Sequence, residues 1–453
     1  LERELEFWRA RLTGAPVLEL PTDRARPPVQ SFSGATVPFR LSKAMMVRVG
    51  GVARSEGATP FMVLLSAFNV LLSRWSGVDD VVVGSPVAGR VPEETEPLVG
   101  VFVNTLALRA DLSGDPAFRD VISRVREATL DAYAHQEVPF ERLVDALKIE
   151  RSLRHHPLFQ VIFSMHAGGY DAPEFPGLAV TVEEGDAGAS KVDLVLALSE
   201  EEDGFAGAFQ YASDLFDEAT IRRMASHLAV LLEAALADPS LPLSSLPLAP
   251  AGEAALLDSF RATADGEAAR AHVLDDYQRP SPIGVSGELY LAQKDGALVP
   301  TGERARWRAD GRLERIGRIG APPEDVRAVA PTARPTATPR TELEHLIARV
   351  WEEVLGTASV RVDDNFFEIG GHSLLLAPVQ EKVRDRLGRE ISIVELFQYP
   401  TVESLAAFIA PREAVSVLDD DVIVETDGPD ADAPSAARGR GAGRREMLRR
   451  GRR

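Results

Sequence analysis

The stretch Asp363-Asp364-Asn365-Phe366-Phe367-Glu368-Ile369-Gly370-Gly371-His372-Ser373-Leu374 constrains this chain more than any other part of it. Ser373 follows Gly-Gly-His and precedes an apolar segment of helical spacing. That order predicts one hydroxyl at the exposed start of a helix, on a loop pinned by Phe366, Phe367 and Ile369. A phosphodiester on that oxygen would meet free backbone N–H groups and the positive end of the helix dipole. A serine that only caps its helix is the other reading of the position.

The flanks predict more helices. Thr341-Glu342-Leu343-Glu344 reads as a capping box, and Leu343, Leu346, Ile347, Val350, Trp351 and Val354 lie on one helical face that Gly356 stops. Leu376, Val379, Val383 and Leu387 mark a second helix closed by Gly388. An apolar run from Ile391 to Phe397 predicts a third, and Thr401 caps a last one through Leu405 and Ile409. Four short helices in such a span read as an all-α bundle. Pro378 early in the serine helix removes a donor and predicts a local distortion. Taken together, 341–411 resembles a peptidyl carrier domain. The resemblance implies that Ser373 carries 4′-phosphopantetheine within a site of Gly371, His372 and Leu374, and that a phosphopantetheinyl transferase is a partner reading the surface His372 shapes.

Composition sets the outer limits. A chain of 453 residues with 45% apolar content holds two to three domains, and the absence of cysteine removes disulfides and thiolate metal sites, which suits a reducing cytoplasm. The longest apolar run, Phe61 to Leu72, is too short to span a bilayer and reads as a buried helix. A net charge of −19 argues against nucleic acid for the body of the protein. Glu413 to Asp432 holds eight acids and no base, and Arg438 to Arg453 holds eight arginines and one glutamate. Such a tail (412–453) reads either as disordered or as a docking element for a neighbouring synthetase subunit. With Leu first and no signal peptide visible, the chain reads as a fragment or the end of a longer reading frame.

Residues 1–260 alternate helices and strands. Thr59-Pro60 opens a helix to Gly77, and Val78–Val87 and Val99–Leu112 read as strands. Asp115-Pro116 caps a further helix, Val192–Leu198 and Phe205–Tyr211 form a hairpin, and Asp217 caps a last helix. The fold class is therefore multidomain, an α/β lobe followed by an all-α four-helix bundle. Gly84 to Arg90, Val99-Gly100-Val101-Phe102-Val103-Asn104-Thr105, His135 to Glu141 and Arg151 to Gln160 occur in an order that resembles the C-terminal lobe of a condensation domain from nonribosomal peptide synthetases. That family has two lobes of chloramphenicol-acetyltransferase type. Condensation requires a general base, normally the second histidine of HHxxxDG. His155-His156 is the only adjacent pair here and no Asp-Gly follows in register, so no catalytic residue is assigned and no metal site is expected.

Between these parts, residues 263–340 read as lower in order. Val273-Leu274-Asp275, Ile283 to Tyr290 and Thr301 to Gly311 resemble late adenylation-domain motifs, with Glu303 where that family has aspartate. The phosphate loop and the catalytic lysine segment are missing, so 263–320 reads as a remnant without adenylation activity, followed by a Pro/Thr/Ala tether at 321–340. The resemblances together imply a phosphopantetheine carrier of a peptide assembly line, loaded by an adenylation domain in trans. A condensation-type acyltransferase completed by an upstream lobe and a decayed module are the alternatives.

Overall fold

The computed structural model describes residues 2–90, 93–95, 97–149, 152, 154–166, 188–319, 339–357, 359–366, 369, 373–389, 391, 395–396 and 399–410. Gly371, His372, Phe367 and the charged tail fall outside this set.

The first domain is built around α3 (Pro60–Ser76). Thr59 Oγ1 accepts from the Met62 N–H at 3.3 Å, Pro60 takes the first helical position, and Gly77 ends the helix at φ 74°. Met62 through Ser73 are all buried, because α2 (Lys43–Ser55), α4 (Phe118–Ala134) and α6 (Glu218–Ala237) surround the helix and a sheet backs it. No single described helix is long and apolar enough to cross a membrane.

That sheet has six strands: β1 (Gly34–Ser42), β2 (Asp80–Val87), β3 (Asn104–Asp111), β4 (Val161–His166), β5 (Leu194–Glu201) and β6 (Gly204–Ala212). Their order is β1-β6-β5-β4-β2-β3, with β4 parallel to β5 and β2 and the other pairs antiparallel. The expected hairpin is present, with Glu201 paired to Gly204 at its turn.

The four sequence strings meet in two pairs. The Asn104 amide donates to the carbonyls of Gln136 at 2.9 Å and Val138 at 2.7 Å, and its oxygen accepts from the Phe140 N–H at 3.1 Å. A single side chain thus ties the strand to the α4–α5 turn, α5 being Phe140–Leu147. A Cβ at Gly84 would lie 2.4 Å from the Phe159 ring, so only glycine admits that phenyl group beside β2.

Several expectations need correction. The strand expected from Val99 starts only at Asn104, and Val99, Val101 and Val103 are 105%, 94% and 62% exposed. β-branched composition favours extended backbone but supplies no pairing partner. Asp115 does not cap α4. Its carboxylate accepts from the Ser244 N–H at 2.8 Å, and Asp120 accepts from Ala117 at 3.1 Å instead. Asp217 precedes α6 but pairs with Arg24. Its side chain makes no capping bond to the first turn, and Asp23 accepts from the Asp217 N–H at 2.8 Å and the Thr220 hydroxyl at 3.0 Å.

The largest correction concerns 263–319; the tether expected at 321–340 lies almost wholly outside the described residues. Ala271–Leu274 (β7), Gly287–Ala292 (β8), Leu298–Trp307 (β9) and Leu313–Arg318 (β10) form an antiparallel sheet in the order β10-β9-β8-β7. Helix α7 (Ala251–Thr263) covers one face, and Leu257, Val273, Ile283, Leu289, Ala305 and Trp307 make a small core there. A local turn signal supports it, since Asp310-Gly311 places Gly311 at φ 81° and lets the Arg308 N–H reach the Arg312 carbonyl at 2.8 Å.

The C-terminal unit contains α8 (Glu342–Leu355), α9 (Ser373–Leu387) and α10 (Val402–Ile409). The capping box is formed in both directions, with the Glu344 N–H to Thr341 Oγ1 at 3.1 Å and the Thr341 N–H to Glu344 Oε2 at 3.0 Å. Gly356 and Gly388 close α8 and α9 in the left-handed region. The expected fourth helix at 391–397 rests largely on residues outside the described set, so three helices are established here. Pro378 lies inside α9, which nonetheless runs unbroken, held by the burial of Leu376, Val379 and Val383.

Trp351, 2% exposed, packs edge-on to Phe366 with ring centroids 5.0 Å apart at the centre of this core. Trp351→Ala should cost about 3–5 kcal/mol, as much as a unit of this size holds in reserve. We expect calorimetry to lose the bundle's transition while the first domain's transition stays in place.

Candidate functional site

The loop ahead of Ser373 is stapled to the start of α10. Phe366 is 1% exposed, its N–H donates to the Pro400 carbonyl at 2.8 Å, and Asn365 forms a β-bridge with Thr401. The Glu403 N–H donates to Val362 O at 3.0 Å, and Asp364 accepts from the Arg361 N–H at 2.8 Å. Ile369 follows, its N–H on Asn365 O at 3.2 Å, and packs on the bundle core. The anchored residues described here are therefore 360–366 and Ile369.

Ser373 is the first residue of α9. The first turn of a helix leaves N–H groups without intrahelical partners, and its dipole places partial positive charge there. A phosphodiester on Ser373 fits such a position, because the helix end offers donors. Of the other expected site residues, Gly371 and His372 fall outside the described residues, and Leu374 lies in the first turn of α9.

Across the bundle, Glu353 of α8 receives Arg386 at 2.6 Å and Lys382 at 2.9 Å from α9. The Arg386 hydrogen bond, followed by that of Lys382, holds its carboxyl down to about 2. The group is on the surface, so it orders the two helices and adds little stability.

Within the adjacent histidine pair of the first domain, His156 is structural in its surroundings. The His156 ring stacks on Phe140 and Phe159 with centroids 5.4 and 4.7 Å away, and Nδ1 lies 3.2 Å from the Phe159 carbonyl. Desolvation pushes it down from 6.5 to about 4. The unfolded chain therefore binds the extra proton between those values. His156 contributes stability in full above pH 6.5 and loses it as the pH falls towards 4. A cost of roughly 2 kcal/mol follows at about 1.4 kcal/mol per unit, reduced because the residue is only partly buried. Urea midpoints measured from pH 7 to 4 should fall, and His156→Phe should flatten that fall.

In the middle region, Glu303 lies on β9 with its carboxylate engaged by Arg315, which also reaches Glu267 at 2.7 Å. That ion pair joins β9 to β10 at the surface of the sheet. The alternating arginines on and just beyond β9 carry a role the sequence reading missed. Arg306 donates to the Thr22 carbonyl at 2.7 Å and Arg308 to the Asp23 carbonyl at 3.3 Å, and both bind Glu314. Period-two spacing of Arg304, Arg306 and Arg308 was the available signal.

Comparison with known proteins fits both ends of the chain. The condensation domain family model matches residues 1–257, and the phosphopantetheine attachment site model matches 345–409. Malpibaldin synthetase of Mortierella alpina is 44% identical over 258 residues, which are 57% of this chain and 5% of that protein. One component of the linear gramicidin synthase of Brevibacillus parabrevis is 47% identical over 260 residues, again 57% of this chain and 5% of that protein. The chain thus spans only a small part of the curated relatives it matches. Among solved structures, the X-domain from teicoplanin biosynthesis is 35% identical with a TM-score of 0.51, over 54% of this chain and 57% of that one. A four-domain nonribosomal peptide synthetase with AMP and glycine bound shares the fold over 90% of this chain and 64% of its own, at 15% identity and a TM-score of 0.64. The attachment-site match assigns 4′-phosphopantetheine as the group carried in the C-terminal unit, whose described helices and anchored loop suit it. The chain belongs to the condensation-domain family and carries a phosphopantetheine attachment region C-terminal to that domain.

Proposed function

We propose that this chain is a carrier component of a nonribosomal peptide assembly line, with Ser373 the attachment point and the pantetheine thiol holding acyl or aminoacyl groups as thioesters. The observation that carries the reading is a serine opening the fifteen-residue helix α9, behind an anchored loop, within the matched attachment region. The 271–319 sheet is read as a remnant of an adenylation domain, and the engagement of Glu303 by Arg315 supports its having lost nucleotide binding. Loading therefore comes from a separate adenylation domain, and the Arg-rich tail contacts a neighbouring subunit. Holo-protein given amino acids and ATP should form a thioester only when such an enzyme is added. Thioester formation, or ATP–pyrophosphate exchange, by the chain alone would refute loading in trans.

A second reading has its own support. Leu98, Val99, Val101 and Val103 form an exposed apolar stretch beside β3, with Leu98 at 53% exposure. A surface of that kind suits burial against another polypeptide. The first domain is then the C-terminal lobe of a condensation-type acyltransferase completed by an upstream lobe that supplies the base. Adding a lobe bearing HHxxxDG should protect 98–103 from hydrogen exchange and restore condensation. Unchanged exchange there would dismiss this reading.

A further inference from the structure

The two family matches end at 257 and resume at 345, and the four-stranded sheet lies between them. Its two faces are differently engaged. Ala305 and Trp307 turn to α7, whereas Arg306 and Arg308 reach backbone carbonyls of the first domain. Further along the seam, Arg74 of α3 meets Asp275 at 2.8 Å, the two side chains being 7% and 9% exposed. Arg74 also donates to Leu243 O at 3.2 Å and Leu246 O at 3.3 Å, and Arg279 donates to Leu246 O at 3.2 Å. Glu253 of α7 clasps both sides, bonding His227 Nε2 at 2.8 Å and accepting the Ile283 N–H at 2.6 Å. Val285 enters the first domain's own core. At the far end, the Ile319 N–H is held by Gly302 O at 3.0 Å, so the chain leaves the sheet from a fixed position.

We propose that α7 and this sheet act as a docked brace that fixes, against the condensation-type domain, the point from which the chain departs toward the carrier. The brace rests on the seam alone, and its consequence for reach rests on the carrier reading. With the sheet folded and docked, roughly twenty residues separate that point from α8, instead of roughly eighty were the segment a plain tether. On the −3/2 power dependence of effective concentration, this concentrates the C-terminal unit around the first domain about eightfold.

The test uses the full chain, in which any introduced cysteine is unique because none is native. Hydrogen exchange should show β7 and β8 protected to the level of α3. Arg306→Ala should raise exchange in the sheet at least tenfold while α3 stays protected. Arg308→Ala, which removes only the longer bond to Asp23 and one to Glu314, gives the same direction if Arg306→Ala disturbs the whole domain. Sheet amides exchanging at unstructured rates in the wild type, or unmoved by both variants, would overturn the brace. A second arm pairs Arg54→Cys with Glu381→Cys, both exposed positions, and times disulfide formation in the unmodified protein. Opening the seam should slow it several-fold. An open seam with an unchanged rate would overturn the effect on reach while leaving the carrier reading intact.

Discussion

Ser373→Ala is expected to abolish attachment of phosphopantetheine completely while leaving the bundle folded. The chain has no cysteine, so the unmodified protein has no thiol and the modified one has a single thiol, that of the prosthetic arm. Attachment is an ester to one oxygen, and no neighbouring hydroxyl can replace it at the start of α9. Alanine is the best helix former, and losing a hydroxyl at a helix start costs only about 1 kcal/mol. Thermal unfolding of the variant should therefore lie within a few degrees of wild type. Under the same account His372→Ala slows the transferase without removing the acceptor, so the final extent of modification is unchanged at long times.

The second large effect is expected at the seam. Asp275→Ala leaves the guanidinium of Arg74 buried with carbonyl partners but no counter-charge. It also removes the acceptor for the Tyr277 and Arg279 N–H groups, at 3.0 and 2.9 Å. Removing one member of a buried pair typically costs about 3–5 kcal/mol. Replacing both by apolar residues, Arg74→Met with Asp275→Leu, should recover much of that loss because no charge is stranded. Urea unfolding of the two singles and the double measures the coupling, and additive losses would show that the pair is not a unit.

The two variants differ in how readable they were beforehand. Ser373 was marked by a short local string, and the helix limits around it followed from neighbouring residues: Thr341 with Glu344, Gly356 and Gly388 each act within one turn. The same locality made α3 readable from Thr59-Pro60 and Gly77. Asp275 and Arg74 stand 201 positions apart in sequence, and neither carries a sign of its partner. Asp217 shows the reverse failure, since a residue of the right type stood before α6 but Arg24 occupies its carboxylate and no side chain caps the first turn. Val99, Val101 and Val103 have strand composition but no strand pairing among the described residues. Resemblance to nucleotide-handling motifs drew the sequence reading of 301–311 away from its arginine alternation, which is a docking pattern here.

The central claim is covalent chemistry at one hydroxyl, and thiol titration of the whole chain before and after treatment with a phosphopantetheinyl transferase and coenzyme A tests it most directly. The account predicts a change from none to one thiol per chain, with the added mass on the peptide containing Ser373. No thiol on the wild type, or the same thiol on Ser373→Ala, would contradict it.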